Sequence, residues 1–333
     1  MSKISVNVKL GKNAEVAQKV VDRLLELVNA GQPLPWVKPW NKPATVTVVD
    51  GHKEITIYPT AWNREGKQYN GANVFILQLA GGGEFITFNQ CKAEGGSVKK
   101  GAKGFPVVYW NFHTKKTVHD DGSETEETIP FLKYYTVFRV SDCEGIKQKH
   151  SGDPVTVTIP ITHTELVDPA NAPDLNTAAE MVIADYIANA GNGFEVKREE
   201  VSDRAYYSPS GDYVSVPHVS QFASTAEYYS TLFHELGHST GHKTRLNRFT
   251  GSAANAAFGS QDYSREELVA EMTAATVLNA LGLEEANAFR NSAAYIKSWA
   301  SEIKNDPMKF VTAASRATAA SDYILTGELP AKQ

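Results

Sequence analysis

The pentapeptide His234-Glu235-Leu236-Gly237-His238 combines metal-binding and acid–base side chains at helical spacing. Its histidines are four residues apart, so on a helix they lie on one face, one turn from each other. Two imidazoles in this arrangement can bind one zinc ion, and a carboxylate beside them can take a proton from water on the metal. We therefore predict that His234 and His238 are metal ligands and that Glu235 is the catalytic base.

The residues around the pentapeptide decide whether it is significant, because chance alone produces this pattern in roughly 2% of such chains. Ser224 and Glu227 form a capping box, which predicts a helix that begins just ahead of the motif. Apolar residues spaced by four predict a face buried in a core, namely Tyr228, Leu232 and Leu236. The alternative interpretation is an ordinary helix with two surface histidines.

A third metal ligand must come from elsewhere in the chain. A metzincin would carry its third histidine at position 244, but that residue is Thr244, and His242 arrives two residues early. The metzincin pattern is therefore absent. His242 stays a candidate for lining the site or for an alternative ligand.

The acidic segment that begins at Asp262 offers a better third ligand. Glu267 and Glu271 are four apart on a predicted helix through residue 278, and two like charges so placed repel unless something compensates them. A metal on Glu267, with Glu271 orienting a histidine, would supply that compensation. Glu266 or Glu271 could also serve as the ligand. Alternatively, Ser264 and Glu267 form a capping box that occupies Glu267 fully.

Length and composition are those of a soluble globular protein with two domains. The chain has 333 residues, of which 42% are hydrophobic and 21% charged. No apolar run is long enough to span a bilayer, and no signal peptide is visible. Cys91 and Cys143 lack zinc-ribbon spacing and are predicted to be reduced thiols. We therefore expect a cytoplasmic protein without a membrane partner.

Charge is distributed unevenly along the chain. Residues 1–150 contain 20 lysines and arginines against 15 acidic residues, whereas residues 151–333 contain 13 against 23. Polar, proline-containing segments at 147–154 and 167–174 predict a boundary between the halves. The expected organisation is a domain at 1–150, a linker at 151–175 and a domain at 176–333.

The basic half alternates cations with aromatic rings, a pattern typical of single-stranded nucleic-acid binding, in which cations follow the backbone and rings stack on bases. A lysine- and glycine-rich loop at 95–104 fits the same interpretation but not the P-loop pattern. The alternative is that these side chains serve solubility and packing alone. The candidate DNA-binding residues are Trp36, Lys38, Trp40, Lys99, Lys100, Lys103, Tyr109, Lys133, Tyr135 and Arg139.

Local patterns predict the remaining elements. Helices are expected at 15–30, 177–190, 288–303 and 307–324, with a short apolar helix before residue 79. Strands are expected at 84–88, 105–112, 131–140 and 156–161, with a hairpin at 205–217. The polar segment 113–128 is predicted to be an exposed hairpin loop.

Several motifs, in the same order over nearly the whole chain, resemble ArdC-type antirestriction proteins. The resemblance is carried by residues 36–40, Tyr69 to Asn73, residues 96–101 and 135–138, the motif at 234–242, and residues 266–271. It implies an N-terminal single-stranded-DNA-binding domain and a C-terminal zincin-like metallopeptidase domain. It also adds Tyr69 and Asn73 to the candidate DNA-binding residues. The acidic segment 119–127 departs from the pattern and resembles an insertion.

Together these observations predict an α+β protein: a mixed α+β nucleic-acid-binding domain followed by a mostly helical, gluzincin-type domain with a small hairpin or sheet. The hypothesis is an antirestriction protein of a plasmid, phage or other mobile element that binds single-stranded DNA. It would carry one zinc ion, or another divalent transition metal, on His234, His238 and Glu267, with Glu235 as general base and an unknown protein substrate. The alternative is a DNA-binding protein with a structural, non-catalytic metal. A nuclease is disfavoured, because two-metal nucleases use carboxylate clusters.

Overall fold

The computed structural model describes twelve parts of the chain: residues 11–29, 45–49, 52–57, 61–118, 124–150, 155–160, 175–191, 193–198, 202–249, 261–283, 300 and 303–329. Its helices are α1 (Lys12–Asn29), α2 (Gly71–Leu79), α3 (Phe88–Ala93), α4 (Thr177–Ala190), α5 (Thr225–Ser239), α6 (Gln261–Leu281) and α7 (Pro307–Thr326). Its strands are β1 (Thr45–Val49), β2 (His52–Ile57), β3 (Ala61–Trp62), β4 (Gly83–Thr87), β5 (Ser97–Val98), β6 (Phe105–Val118), β7 (Glu124–Arg139), β8 (Cys143–Glu144), β9 (Val155–Pro160), β10 (Glu195–Lys197), β11 (Tyr206–Ser208) and β12 (Tyr213–Ser215). The predicted α+β class is confirmed, with a sheet-rich first half and a helical second half.

The first half is built around a four-stranded sheet in the order β3-β4-β7-β6, with α1 and α2 packed against it. The helix predicted at 15–30 is α1, whose Val20, Val21 and Leu24 are buried. The predicted short apolar helix is α2, and the amide of Asn73 on it pairs with both backbone groups of Val108 on β6 at 2.7 Å. These contacts fix the helices along the outer strand of the sheet.

The prediction of an exposed hairpin loop at 113–128 is wrong, because most of these residues lie in strands. β6 and β7 pair in antiparallel register as far as Val118 and Glu124. The polar composition that suggested a loop instead belongs to a two-stranded arm with solvent on both faces. Charges opposite each other on the arm compensate: Lys116 and Glu126 form an ion pair at 2.6 Å. Residues 119–123 lie outside the described part of the chain.

The second half contains a small sheet in the order β10-β12-β11 beside three packed helices, α5, α6 and α7. The hairpin predicted at 205–217 is β11 and β12, which pair in antiparallel register. The helix predicted at 177–190 coincides with α4, and the one predicted at 307–324 is α7. Most of the helix predicted at 288–303 lies outside the described residues.

Buried hydrophobic residues pack together across the boundary predicted between the two halves. One buried cluster combines residues of α1, α2, β6 and β7 with residues of α6 and α7, including Leu268, Phe310 and Ala314. A second cluster unites α4, α5 and α6 with the end of α7. Within the predicted linker, β9 pairs with β2 of the first half. Helix α7 therefore packs in both cores.

None of the described helices is both long and apolar enough to cross a membrane.

Candidate metal centre

Helix α5 presents the two histidines of the pentapeptide. Its N-cap is Ser224, whose hydroxyl accepts a hydrogen bond from the backbone N–H of Glu227 at 3.2 Å. The predicted apolar face is buried completely, since Tyr228, Leu232 and Leu236 have at most 2% of their surface exposed. Burial of this face turns the opposite face of α5, with both histidines, toward α6.

Gly237 lets α5 and α6 approach each other closely. A Cβ atom at this position would lie 3.1 Å from the Cα of Ala270 and 3.3 Å from the Cβ of Thr273. Only a residue without a side chain fits between the two helix backbones without displacing one of them. The close approach brings the glutamates of α6 to the histidines of α5.

His234, His238 and Glu267 form the one cluster of potential metal ligands found among the described residues. The Nε2 atoms of the two histidines are 3.0 Å apart. The Glu267 carboxylate lies 3.6 Å from Nε2 of His234 and 3.4 Å from Nε2 of His238. A tetrahedral zinc site with bonds of ~2.0–2.1 Å separates its ligand atoms by about 3.3 Å. The three side chains therefore fit a divalent ion.

The capping-box alternative for Glu267 does not hold. Helix α6 begins at Gln261, so Ser264 lies inside the helix and not at its N-cap. Glu267 is thereby available to the histidines rather than to the helix terminus.

Two further carboxylates stand behind the histidines, as expected for groups that orient metal ligands. Glu271 Oε1 is 3.3 Å from Nδ1 of His234, and Glu266 Oε1 is 3.9 Å from Nδ1 of His238. Glu266 is itself held by the guanidinium of Arg248, which also donates to the Gly237 carbonyl at 2.8 Å. Each histidine thus faces the ligand cluster with Nε2 and a carboxylate with Nδ1.

The electrostatics of the cluster suit a cation. Burial alone would lower the pKa of His234, but hydrogen bonds with Glu267 and Glu271 raise it to about 10. Burial opposes the charged form of Glu267, yet hydrogen bonds from both histidines hold its pKa well below the usual range. The carboxylates around the two imidazoles thus favour positive charge at this position.

Glu235 is 8% exposed and lies next to the cluster. Burial raises the pKa of its carboxyl group, and the neighbouring His234 and His238 counteract part of that rise. The backbone N–H of Tyr207 on β11 donates a hydrogen bond to this carboxylate. The predicted base is therefore oriented by the edge of the small sheet.

His242 is positioned by other partners. Its Nδ1 lies 2.8 Å from the Thr244 hydroxyl and 3.6 Å from the Asp212 carboxylate. Asp212, at the hairpin turn, also binds Arg245 and accepts from the hydroxyl of Tyr207 at 2.8 Å. This network ties the loop after α5 to the hairpin.

Sequence reasoning missed Arg245, Arg248 and Asp212. The available signal was two arginines three residues apart directly after the motif, in a half that is strongly acidic. Both arginine side chains are at most 5% exposed. A buried guanidinium needs a carboxylate partner, so the pair implied two acidic residues nearby.

The candidate DNA-binding residues of the first half divide into several groups. Trp36, Lys38 and Trp40 lie outside the described residues. Tyr69 is half-buried and packs edge-on against Phe85, with ring centroids 6.3 Å apart. The amide of Asn73 is occupied by the backbone of β6, as described above.

Four of the predicted cations differ in how they are held. Lys99 Nζ donates to the Ser141 carbonyl at 2.9 Å, and Arg139 donates to the Ala80 carbonyl at 3.2 Å. Lys99, Lys100 and Lys103 are exposed, and Lys103 pairs with a glutamate of α1, whereas Arg139 is half-buried.

Exposed aromatic rings concentrate on the β6–β7 arm. Tyr109 and Tyr135 are 42% and 40% exposed, and their ring centroids lie 5.8 Å apart. Lys133 stands opposite Tyr109 in the strand register. Trp110 and Phe112, 42% and 58% exposed, were not predicted as candidates.

Two family models match the chain in succession. A model of the N-terminal domain of anti-restriction factor ArdC matches residues 14–138, and a model of a zincin-like metallopeptidase matches residues 184–316. The fold and the histidine–glutamate cluster thus define a protein that joins an ArdC-type N-terminal domain to a zincin-like metallopeptidase domain.

Solved structures and curated sequences extend this match over most of the chain. The metal-free crystal structure of antirestriction protein ArdC from the R388 plasmid is 32% identical, with a TM-score of 0.59, and the alignment covers 92% of this chain and 96% of that one. The Mn(II)-bound structure of the same protein is 30% identical, with the same TM-score and coverage. The chain belongs to the ArdC antirestriction family.

Two curated relatives show how the same region occurs in other proteins. DNA primase TraC of Escherichia coli is 31% identical over an aligned length of 327 residues; the alignment covers 93% of this chain but 27% of that protein. The uncharacterized protein y4eC of Sinorhizobium fredii is 26% identical over an aligned length of 320 residues; the alignment covers 93% of this chain and 91% of that protein. The chain therefore spans only about a quarter of the primase.

Proposed function

We propose that this chain is a metal-dependent peptidase of the antirestriction type that is brought to its target by binding single-stranded DNA. The observation that carries the proposal is the convergence of His234, His238 and Glu267 at ligand spacing beside the buried carboxylate of Glu235. The carboxylate gives the cluster a reactive group that a purely structural metal site does not need.

The metal would be held by the Nε2 atoms of His234 and His238 and by the Glu267 carboxylate. Zinc fits this donor set, as does another divalent transition metal, and the Mn(II)-bound relative shows that a member of the family takes such an ion. When bound, the metal would act as a Lewis acid that polarises a carbonyl group and makes water more acidic.

Glu235 would act as the general base. Its raised pKa suits proton uptake, because a carboxylate of higher basicity accepts a proton more readily at neutral pH. The hydrogen bond from the Tyr207 N–H fixes its orientation. The proton taken by this carboxylate would pass to the leaving amine of the cleaved peptide.

The substrate would be an extended peptide paired with β11. Among the described strands, β11 is one of the two outer members of the small sheet, and its Tyr207 N–H reaches Glu235. An extended chain added along this edge would run past the base and the ligand cluster.

Single-stranded DNA would bind to the first half, on the β6–β7 arm and the basic residues beside it. Tyr109 and Tyr135 offer exposed rings for base stacking, and Lys133 offers a cation for the backbone. Protection of incoming DNA from restriction would follow from delivery of the peptidase to that DNA.

The peptidase proposal is tested with Glu235→Gln. We expect this variant to bind Zn²⁺ and Mn²⁺ as the wild type does, but to cleave a peptide library at least ~10²-fold more slowly, because the general base is lost. Glu227→Gln, the same change at the start of α5, is the matched control and should cleave normally. Equal cleavage by Glu235→Gln and the control would contradict the assignment.

The competing candidate is a DNA-binding protein whose metal is structural. The R388 protein has been crystallised both without metal and with Mn(II), and the two structures match this chain equally well, at a TM-score of 0.59. Because the R388 protein has the same similarity to this chain with and without metal, the comparison disfavours a metal that is required for folding. Full protection of DNA from restriction by Glu235→Gln would instead favour the non-catalytic candidate.

The DNA half of the proposal is tested by fluorescence anisotropy with single-stranded oligonucleotides and the full chain. Affinity should fall steeply with salt. Tyr109→Ala and Tyr135→Ala should each weaken binding by ~1–3 kcal/mol, the value of one stacked base. Tyr206→Ala, at a tyrosine 38% exposed in the second half, is the control and should bind normally.

A further inference from the structure

The small sheet exposes one of its faces, and a tyrosine of its outer strand lies on that face. Tyr207 of β11 and its register partner Val214 are buried in the second hydrophobic cluster. Because successive side chains of a strand point to opposite faces, the neighbouring Tyr206 points away from that cluster. Tyr206 is therefore exposed on the solvent side of the sheet, one residue from the backbone N–H that meets Glu235.

Contacts across the sheet hold the ring of Tyr206 in one orientation. It meets the ring of Tyr213 on β12 edge-on, with centroids 5.9 Å apart and an interplanar angle of 70°. The two hydroxyl groups share a hydrogen bond of 3.2 Å. On the next strand, β10, Nζ of Lys197 lies 4.0 Å from the centroid of the Tyr213 ring. The ring of Tyr206 is thus a fixed apolar surface, which loses little conformational entropy when a ligand packs on it.

The backbone of β11 shows where an added peptide would lie relative to this ring. The Tyr207 N–H donates to Glu235, so the backbone polar groups of Tyr207 point to the outer edge of the sheet. Those of Tyr206 point the other way, toward Ser215, its register partner on β12. In a peptide paired antiparallel with the outer edge, the residue opposite Tyr206 would therefore form a pair without mutual hydrogen bonds. Side chains approach each other most closely in such pairs, in which the Cα atoms are ~4.5 Å apart.

The cations beside the tyrosine pair each have a carboxylate partner. Lys197 lies 3.0 Å from Glu195, and Arg204 lies 3.9 Å from Asp203. A charged side chain of the peptide would therefore find no excess of opposite charge on this face. A large apolar or aromatic side chain would instead gain contact with the Tyr206 ring, since aromatic–aromatic and aromatic–β-branched pairs stabilise neighbouring strands.

We propose that Tyr206 forms a subsite of the peptidase, which selects substrates with a large apolar or aromatic side chain beside the cleaved bond. The inference rests on the proposed peptidase function and names the class of substrate that it accepts. Residues along a strand are ~3.4 Å apart, so a side chain opposite Tyr206 is close to the bond at which Glu235 acts. Tyr206 takes no part in proton transfer and acts by contact with the substrate alone.

The test measures kcat/KM of the full chain with Zn²⁺ or Mn²⁺ for a peptide library varied at each position around the cleaved bond. The wild type should prefer phenylalanine to alanine at one of these positions. Tyr206→Ala should lower kcat/KM for the phenylalanine peptide by ~3- to 10-fold and leave that for the alanine peptide unchanged. Tyr206→Phe keeps the ring and should keep the preference. Tyr134→Ala, at an exposed tyrosine of the first half, is the matched control and should also keep it.

The outcomes separate this inference from the function on which it rests. If the wild type cleaves peptides and Tyr206→Ala has the same preferences, the subsite is overturned and the peptidase function stands. If Tyr206→Ala slows the phenylalanine and alanine peptides equally, Tyr206 supports the sheet and not the substrate, and the inference is likewise wrong. If the wild type cleaves no peptide of the library, the peptidase function and its subsite are both overturned.

Discussion

Glu271 stands behind His234 at 3.3 Å and thereby sets which imidazole nitrogen faces the metal. A hydrogen bond from Nδ1 to a carboxylate fixes the tautomer and the ring orientation of a ligating histidine. Glu271 is therefore predicted to affect metal affinity although it lies outside the cluster of His234, His238 and Glu267.

We expect Glu271→Gln to lower the affinity for Zn²⁺ or Mn²⁺ by ~10- to 100-fold, because the amide is a weaker acceptor for the imidazole N–H. Isothermal titration calorimetry with the metal alone measures this change. Glu227→Gln is again the control, and Glu267→Ala should lose more affinity than Glu271→Gln. Unchanged affinity in Glu271→Gln would show that His234 needs no orienting carboxylate.

At the scale of residues, the sequence predicted those members of the site that are close to one another along the chain. His234, Glu235 and His238 occupy little more than one helical turn, so their spacing alone placed them together. Arg248 was not predicted, because its partner Glu266 is brought to it by the packing of α5 on α6 and not by spacing. Contacts of that kind depend on the tertiary fold.

The packing of α5 on α6 is the element on which the site depends, and Gly237 permits it. Gly237→Ala should destabilise the fold by ~1–3 kcal/mol, because the new Cβ would overlap the backbone of α6. The gain in helix propensity, at most ~1 kcal/mol, offsets only part of that cost.

Urea unfolding and metal titration of Gly237→Ala measure the two consequences together. Metal affinity should fall as well, since Glu267 moves with α6. Gly11→Ala is the matched control, because a Cβ there would meet nothing within 4 Å. Equal stability and affinity in the two variants would contradict the close approach of the helices.

In the first half, a buried arginine joins separate elements. Arg64 binds Glu84 on β4 at 2.8 Å and holds Glu94, which follows α3. Lys149 binds the same carboxylate at 3.0 Å. Hydrogen bonds from Arg64 and Lys149 lower the pKa of Glu94 from 4.5 to about 2.

This shift predicts how stability depends on pH. Because the folded-state pKa lies below the unfolded value, the contribution of Glu94 is present above about pH 4.5 and is lost as the pH falls toward 2. Glu94→Gln should therefore be less stable than the wild type at pH 6, and the difference should shrink in acid. Urea unfolding at several pH values checks this, with the exposed Glu65→Gln as control; a difference that is constant with pH would refute it.

At the scale of elements, the spacing of apolar residues predicted helices such as α4 correctly, but it did not predict the long β6–β7 arm. Helix α4 was predicted at its observed bounds because its apolar residues repeat at helical spacing. Residues 113–118 and 124–128 give no strand signal in the sequence, because a strand with solvent on both faces has no alternation of apolar and polar residues. The arm is stabilised instead by the ion pair between Lys116 and Glu126. This pair can be identified only when the register of β6 and β7 is known.

At the scale of the whole molecule, α7 connects the two halves through a shared core. Phe310 is 4% exposed within the cluster that also contains residues of α1 and α2. The separate charge and composition of the halves predicted two domains, and nothing in the sequence indicated that one helix completes both cores.

Phe310→Ala should destabilise the protein by ~3–5 kcal/mol through the cavity it leaves. Because the core is shared, scanning calorimetry should show one transition that moves as a unit, with equal calorimetric and van't Hoff enthalpies. Phe88→Ala, at a phenylalanine 56% exposed, should change the stability by less than ~0.5 kcal/mol. Two transitions, of which the variant moves only one, would show that the halves fold independently.

The position of α7 in the chain has a consequence for synthesis on the ribosome. Residues 14–138, which match the ArdC N-terminal domain, are made long before Pro307, where α7 begins. At ~5–20 residues per second the intervening stretch takes roughly 10–30 s to translate. During that interval the apolar faces of α1 and α2 have no partner from α7, so the nascent chain is expected to need a chaperone until its last described helix emerges.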